Sequence, residues 1–242
     1  MSITTPAAGR PTVVLVHGAF AESASWSGVI EKLLADGFPV IALANPLRGV
    51  AFDAGYLRDV LGDVSGDIVL VGHSYGGSVI SNGATDAVKA LVFIGAFAPE
   101  AGESAAQLSG KYEGGSLGDT LTAVPLAEGG NDLYIVQDKY HGQFAADSSA
   151  EVAAVMAVTQ RPITEAALNE PSGEPAWKTR PSWFLFGSAD KNIPAEAHRF
   201  MAERAGSKRT VELEGGSHTV GIPEAGHVVD LIREAAAAVS GE

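Results

Sequence analysis

The sequence predicts an α/β fold, a sheet of roughly six parallel strands flanked by helices and interrupted by an inserted segment. Three observations carry this. Short apolar runs alternate with stretches of helical periodicity through the first hundred residues, the pattern of strands joined by crossover helices. The same alternation resumes after about residue 180. Finally, 242 residues with 46% hydrophobic content suffice for one large core.

Thr12 to Val16 reads as a buried strand. Trp26, Val29, Ile30, Leu33 and Leu34 then fall on one apolar helix stripe that Gly37 terminates. Pro39 to Leu43 is the second strand. Asp53 is expected to cap a short helix that buries Tyr56, Leu57, Val60 and Leu61. Asp67 to Val71 is the third strand, and a helix follows from Gly77 to Ala84. Lys89 to Phe97 is the fourth. Trp183 to Gly187 resumes the pattern, Pro194 starts a helix carrying Ala197, Phe200 and Met201, and Thr210 to Leu213 is the last strand. Pro223 opens a closing helix with Val228, Val229, Leu231, Ile232 and Val239 on its buried side. Residues 1–98 and 181–242 therefore form the core. Residues 99–180 are expected to form an inserted helical cap, with helical signals only near Asp147 to Val158 and Thr164 to Asn169, and glycine and serine crowd 102–130.

A formal charge of −13 without a basic run opposes nucleic acid and anionic membrane surfaces as partners. Without cysteine there are no disulfides and no thiolate metal sites. No histidine pair has metal-ligand spacing, so no metal is expected and no cofactor is implied. Met1 to Arg10 is polar and small, and Val13 to Val16 is too short for a signal-peptide core. The longest apolar stretch, Ala90 to Ala98, falls far below the roughly 20 residues that span a bilayer. A soluble, cytoplasmic protein is the expectation.

The most informative segment is Gly72-His73-Ser74-Tyr75-Gly76, between the third strand and its helix. Its glycines permit a sharp strand-to-helix bend that lifts the serine hydroxyl over the sheet edge. The overlapping Gly72-x-x-x-x-Gly77-Ser78 lacks the lysine that a phosphate-binding loop requires. Asp190 follows the strand ending near Phe186, and His218 follows the strand ending at Leu213. A serine needs an imidazole to take its proton, and the imidazole needs a carboxylate to set its tautomer and stabilise its cation. Ser74, Asp190 and His218 supply these groups from three strand ends, where open α/β sheets bind their ligands. The first strand ends in His17-Gly18-Ala19-Phe20, so the Ala19 and Tyr75 N–H groups are the expected oxyanion donors. Phe20, Trp26, Tyr112, His141, Phe144 and Trp177 are the candidates for lining an apolar substrate pocket. His17 and His73 read as local hydrogen-bonding or packing residues, and His198 and His227 as surface or core positions.

The order serine, acid, histidine is that of the α/β-hydrolases, and the chain resembles that superfamily from Val13 to about Ala237. Val13-Val14-Leu15-Val16-His17-Gly18-Ala19, Val71-Gly72-His73-Ser74-Tyr75-Gly76-Gly77 and Asp190-Lys191-Asn192-Ile193-Pro194 resemble the branch of plant methyl-ester esterases and hydroxynitrile lyases. The resemblance implies a six-stranded sheet without the first two antiparallel strands of the full fold. It also implies serine-dependent hydrolysis of a small to medium neutral carboxylic ester through an acyl-enzyme, with a small-molecule ester as partner. The alternative is lyase-like, cofactor-free oxygenase or perhydrolase chemistry at the same triad. Lyases of this kind carry threonine where Gly18 stands and lysine where Thr219 stands, which favours hydrolysis here.

Overall fold

The computed structural model describes residues 9–240; the polar start up to Ala8, part of the segment judged to lack a signal-peptide core, lies outside them. In chain order the elements are β1 (Thr12–Val16), α1 (Ser27–Ala35), β2 (Val40–Leu43), α2 (Val50–Gly62), β3 (Ile68–His73), α3 (Tyr75–Gly83) and β4 (Val88–Ile94). Then come α4 (Ala105–Ser109), β5 (Leu121–Pro125), β6 (Asn131–Ile135), α5 (Gln137–Phe144), α6 (Ala150–Thr159), β7 (Ile163–Thr164) and α7 (Glu165–Asn169). The chain closes with β8 (Ser182–Gly187), α8 (Ala195–Arg204), β9 (Arg209–Leu213) and α9 (Ala225–Ser240).

Six strands pair in the order β2-β1-β3-β4-β8-β9, all parallel. Every residue of β1, β3 and β8 is buried, as a parallel strand covered on both faces must be. Successive side chains point to opposite faces. Val13, Leu15, Val69, Val71, Trp183 and Leu185 thus join Val29 and Leu33 of α1 and Val228 and Ile232 of α9 in one layer. Val14, Val16, Leu70, Leu91, Phe93 and Phe184 join Leu57 of α2, Val79 of α3 and Met201 of α8 in the other. Burying each of these large side chains is worth about 1.5–3 kcal/mol.

The predicted strands and core helices are present, with small shifts at their ends. Gly37, at φ 79°, closes α1 as expected. β4 stops at Ile94 rather than Phe97 because Gly95 turns the chain at φ 51°, sending the Phe97 N–H to the Ser74 carbonyl at 3.1 Å. Asp53 does not cap α2. It lies one turn inside, and its carboxylate accepts the N–H of Arg48 at 3.1 Å and the Tyr75 hydroxyl at 2.9 Å. The start of α2 is capped by Glu170, whose carboxylate accepts the N–H groups of Val50 at 2.7 Å and Ala51 at 3.2 Å. Tyr56, expected in the core, is exposed.

The segment between β4 and β8 holds the two predicted helices, α6 capped by Ser149 and α7 capped by Thr164. It also holds structure the periodicity did not signal. Ser104 and Gln107 form a reciprocal capping box that opens α4. β5, β6 and β7 form a three-stranded antiparallel sheet, so the segment expected to be a helical cap is not purely helical. β5 is largely exposed and shows no inside-outside alternation, which is why its sequence looked irregular. Arg48 pairs with Asp132 of β6 at 2.7 Å, and Arg204 of α8 pairs with Glu103 at 2.8 Å, tying this segment to the core at two edges. Among the described residues no helix is long and apolar enough to cross a membrane.

Candidate active site

Ser74 sits between β3 and α3 at φ 53°, ψ −124°, one of only three non-glycine residues with positive φ among those described. The bend is locked by backbone: the Ser74 carbonyl accepts the N–H groups of Gly77 at 2.9 Å and Phe97 at 3.1 Å. It also requires glycine at its inner side. A Cβ on Gly76 would lie 2.3 Å from the Val16 carbonyl oxygen, so any side chain there forces β1 and α3 apart.

At the end of β8, Asp190 has its side chain fully buried. Its Oδ2 accepts His218 Nδ1–H at 2.8 Å, and its Oδ1 accepts the N–H groups of Asn192 at 2.7 Å and Ile193 at 2.9 Å. Burial raises the pKa of this carboxyl, but the charge of His218 and the hydrogen bonds from His198 and His218 outweigh burial and hold it well below the ordinary carboxylate range. His218 is 1% exposed, and its Nε2 is buried with no hydrogen-bond partner among the described residues. The structure therefore joins two of the three expected residues directly. It brings Ser74 to the same locus through its neighbour His73, whose ring lies 4.9 Å from that of His218, but forms no hydrogen bond between Ser74 and His218.

The loop carrying His218 is held by the segment between β4 and β8. Asp147 accepts both the N–H of Ser217, at 2.7 Å, and its hydroxyl, and the Thr219 N–H donates to the Phe144 carbonyl at 3.2 Å. His73 Nε2–H donates to the His218 carbonyl at 3.1 Å. His17 donates from Nδ1 to the Gly18 carbonyl at 2.9 Å and accepts the Asn45 N–H on Nε2 at 3.0 Å. Both rings are neutral in these roles. Burial lowers His17 to about 4, and burial together with the nearby charge of His218 lowers His73 to about 3. A folded-state pKa below the unfolded value of about 6.5 gives stability that is complete above about pH 6.5 and lost as the pH falls toward those lower values. The urea midpoint is therefore expected to fall between about pH 7.5 and about pH 5, with a shallower slope in His73→Asn. A midpoint that stays level over this range contradicts the assignment.

Above the elbow, Gly18 is in close contact: a Cβ there would lie 2.6 Å from Ser74 Cβ and 3.1 Å from the Tyr75 nitrogen. This contact brings the Ala19 loop against Ser74 and Tyr75. The Tyr75 N–H is the first of α3 and so has no acceptor within its helix. Phe20, at φ 60°, is clamped by its N–H to the Arg161 carbonyl at 2.9 Å and by the Tyr140 hydroxyl to its own carbonyl at 2.7 Å. Ala19, Phe20, Ser74 and Tyr75 share a cavity of about 290 Å³, completed by Phe97, Ala105, Ser109, Leu117, Leu121, Leu168, Asn192 and Ile193, with no charged side chain in its wall.

Of the six residues proposed for the pocket, Phe20 lines this cavity. The other five do not. Trp26 lies in the opposite core layer, edge-on to His73 at 6.3 Å. Phe144 is fully buried behind the wall, against Phe20, Tyr140, His73 and His218. Tyr112 packs on Phe200, His141 bonds the Ser148 carbonyl at 3.0 Å, and Trp177 donates to the Pro99 carbonyl at 2.9 Å. The aliphatic lining from α4, β5 and α7 carried no signal in the sequence, since small apolar residues in short elements look the same whether they face a cavity or a core. His198, read as a surface or core position on its helix, bonds Asp190 at 3.1 Å.

A parallel six-stranded sheet with a serine on the strand-to-helix elbow and an acid-histidine pair at later strand ends defines an α/β-hydrolase scaffold. The alpha/beta hydrolase family model matches residues 13–240, and the chain belongs to that family. It is 25% identical to the alpha/beta hydrolase nvfD of Aspergillus novofumigatus (strain IBT 16806), covering 94% of this chain and 97% of that protein. A 56-residue stretch, 20% of this chain and 23% of the relative, is 45% identical to a carbendazim hydrolyzing esterase of Nocardioides sp. (strain SG-4G). Among solved structures, polyneuridine aldehyde esterase superposes with a TM-score of 0.78 at 18% identity, covering 93% of this chain and 98% of that one. The methylesterase MES16 from Arabidopsis superposes with a TM-score of 0.76 at 16% identity, covering 96% of this chain and 100% of that one. These two structures share the fold with this chain.

Proposed function

We propose that this protein hydrolyses small, neutral carboxylic esters through an acyl-enzyme on Ser74. The observation that carries the reading is the pairing of His218 with a buried Asp190 beside an elbow serine that opens into an uncharged cavity. Relatives described as an esterase and as an alpha/beta hydrolase support it.

In the first step Ser74 Oγ bonds to the ester carbonyl carbon while its proton passes to His218 Nε2. The developing oxyanion takes the N–H groups of Ala19 and Tyr75, each worth about 100- to 1,000-fold in rate. The tetrahedral intermediate collapses, the carbon–oxygen bond to the alcohol breaks, and His218 returns the proton to the departing oxygen. Water then attacks the acyl carbon with His218 again taking the proton, and His218 returns it to Ser74 Oγ as the acyl carbon–oxygen bond breaks and the acid departs. His218 Nε2 is buried without a partner among the described residues, and its hydrogen bond to Ser74 forms when substrate binds, since catalytic hydrogen bonds tighten relative to unliganded structures. Gly18 supports hydrolysis over lyase chemistry, because the threonine that the lyases carry there is missing, and a Cβ at this position would lie 2.6 Å from Ser74 Cβ in this backbone.

The cavity wall determines what fits. An ionised acyl group would lose its hydration there without a compensating charge, so neutral esters are favoured. With p-nitrophenyl esters, acetate and butyrate are expected to turn over and the dodecanoate to be poor. A fluorophosphonate is expected to add its mass to the Ser74 peptide. Folded protein that neither labels nor turns over these esters would falsify the proposal, and cyanide release from mandelonitrile with negligible ester turnover would replace it with the lyase reading.

A further inference from the structure

Asp190 holds two histidines on one oxygen. Oδ2 lies 2.8 Å from His218 Nδ1 and 3.1 Å from His198 Nε2. The second ring has no counterpart in the three-residue arrangement that the chemistry above requires. It comes from α8, eight residues beyond Asp190, where Pro194 begins the helix and accepts the His198 N–H at 3.2 Å. Like His218 it is 1% exposed, and it stacks on Phe186 of β8 with ring centroids 4.8 Å apart and planes 13° from parallel. The strand that delivers Asp190 therefore also fixes the plane of the imidazole that meets it.

An ionised carboxylate only accepts hydrogen bonds, so a histidine nitrogen at this distance must carry a proton toward it. With Oδ1 taken by the Asn192 and Ile193 N–H groups, all the acceptor contacts of Asp190 are engaged, and Oδ2 is held from two sides. Without His198, Oδ2 would be held by His218 alone, and the carboxylate could pivot about Oδ1 as that ring moves and charges. Held by His198 as well, it stays in place while His218 gains and loses its proton.

We propose that His198 is a positioning residue: it donates from Nε2 to Asp190 Oδ2 and fixes the carboxylate that orients His218. This rests on the reading of Ser74, Asp190 and His218 as a triad. Two variants separate positioning from packing. His198→Phe keeps a flat ring against Phe186 and removes the donor, whereas His198→Gln keeps an N–H donor on the same helix turn.

With p-nitrophenyl butyrate, His198→Phe is expected to lower kcat by about tenfold to a hundredfold with KM little changed, the range for losing a hydrogen bond to a charged group. His198→Gln is expected to recover most of that loss, with melting temperatures measured for both. Nitrogen-15 histidine spectra of the unaltered protein near neutral pH should show His198 protonated on Nε2. The proposal is overturned if folded His198→Phe keeps full kcat, if the glutamine variant loses as much as the phenylalanine variant, or if Nε2 of His198 is bare. The spectra decide the matter even where His198→Phe does not fold. An unaltered protein that neither labels nor hydrolyses esters would count against the triad reading, while the spectra would still report on the His198–Asp190 bond.

Discussion

Ser74→Ala is expected to lower kcat on p-nitrophenyl butyrate by about 10⁴- to 10⁶-fold, the loss seen when a member of a cooperating triad is removed. Nothing else in the fold should change much. The bend at Ser74 is held by its carbonyl, which takes the Gly77 and Phe97 N–H groups, and by glycine neighbours, none of which alanine disturbs. Alanine has the same backbone requirement at φ 53°, so the strain of the elbow is common to both proteins. The variant should therefore melt close to the parent and lose its fluorophosphonate adduct. Retention of more than a few per cent of the activity contradicts the assignment of the nucleophile.

Asp190→Asn is expected to cost about 10⁴-fold in kcat, through the tautomer of His218 rather than through the fold. The amide oxygen of asparagine replaces Oδ1 well, since the Asn192 and Ile193 N–H groups at 2.7 and 2.9 Å need only an acceptor. That leaves the NH₂ group where Oδ2 stood, facing His218 Nδ1 and His198 Nε2. Two donors cannot share that space. His218 turns to the tautomer with a bare Nδ1 and a proton on Nε2, and a protonated Nε2 does not accept the Ser74 proton. Raising the pH does not restore the rate, because the defect is the position of a proton and not its titration. A pH-rate profile checks this: a variant that recovers parental kcat in alkali contradicts the tautomer argument. Asp190→Ala is a poorer test, since it strands four buried donors at once.

Much of the scaffold was legible because its strands are buried on both faces. A strand such as Ile68–His73 is buried throughout and apolar from Ile68 to Val71, and Gly37 and Pro194 mark where helices must stop or start. The elbow was legible for a related reason: only glycine fits where an added Cβ would lie 2.3 Å from another strand's carbonyl oxygen, so close approach leaves its imprint in composition. The strand Leu121–Pro125 of the hairpin left no such imprint, because an exposed strand tolerates almost any residue. The aromatic residues misled in a similar way. Trp26 and Phe144 are large and apolar, which signals burial but not whether a ring faces a cavity or the wall behind it.

By itself the sequence determined the parallel sheet, the sharp turn at Ser74 and the order in which the three polar residues follow their strands, since each depends on neighbours only a few residues away. The tertiary structure decided the rest. Which apolar groups line the space at Ser74, that Glu170 closes the start of α2, and that His198 shares an oxygen of Asp190 all depend on segments meeting across the fold. The physical reason is one of range: local patterns record whether a side chain leaves water, while its partner is set by the packing of distant elements.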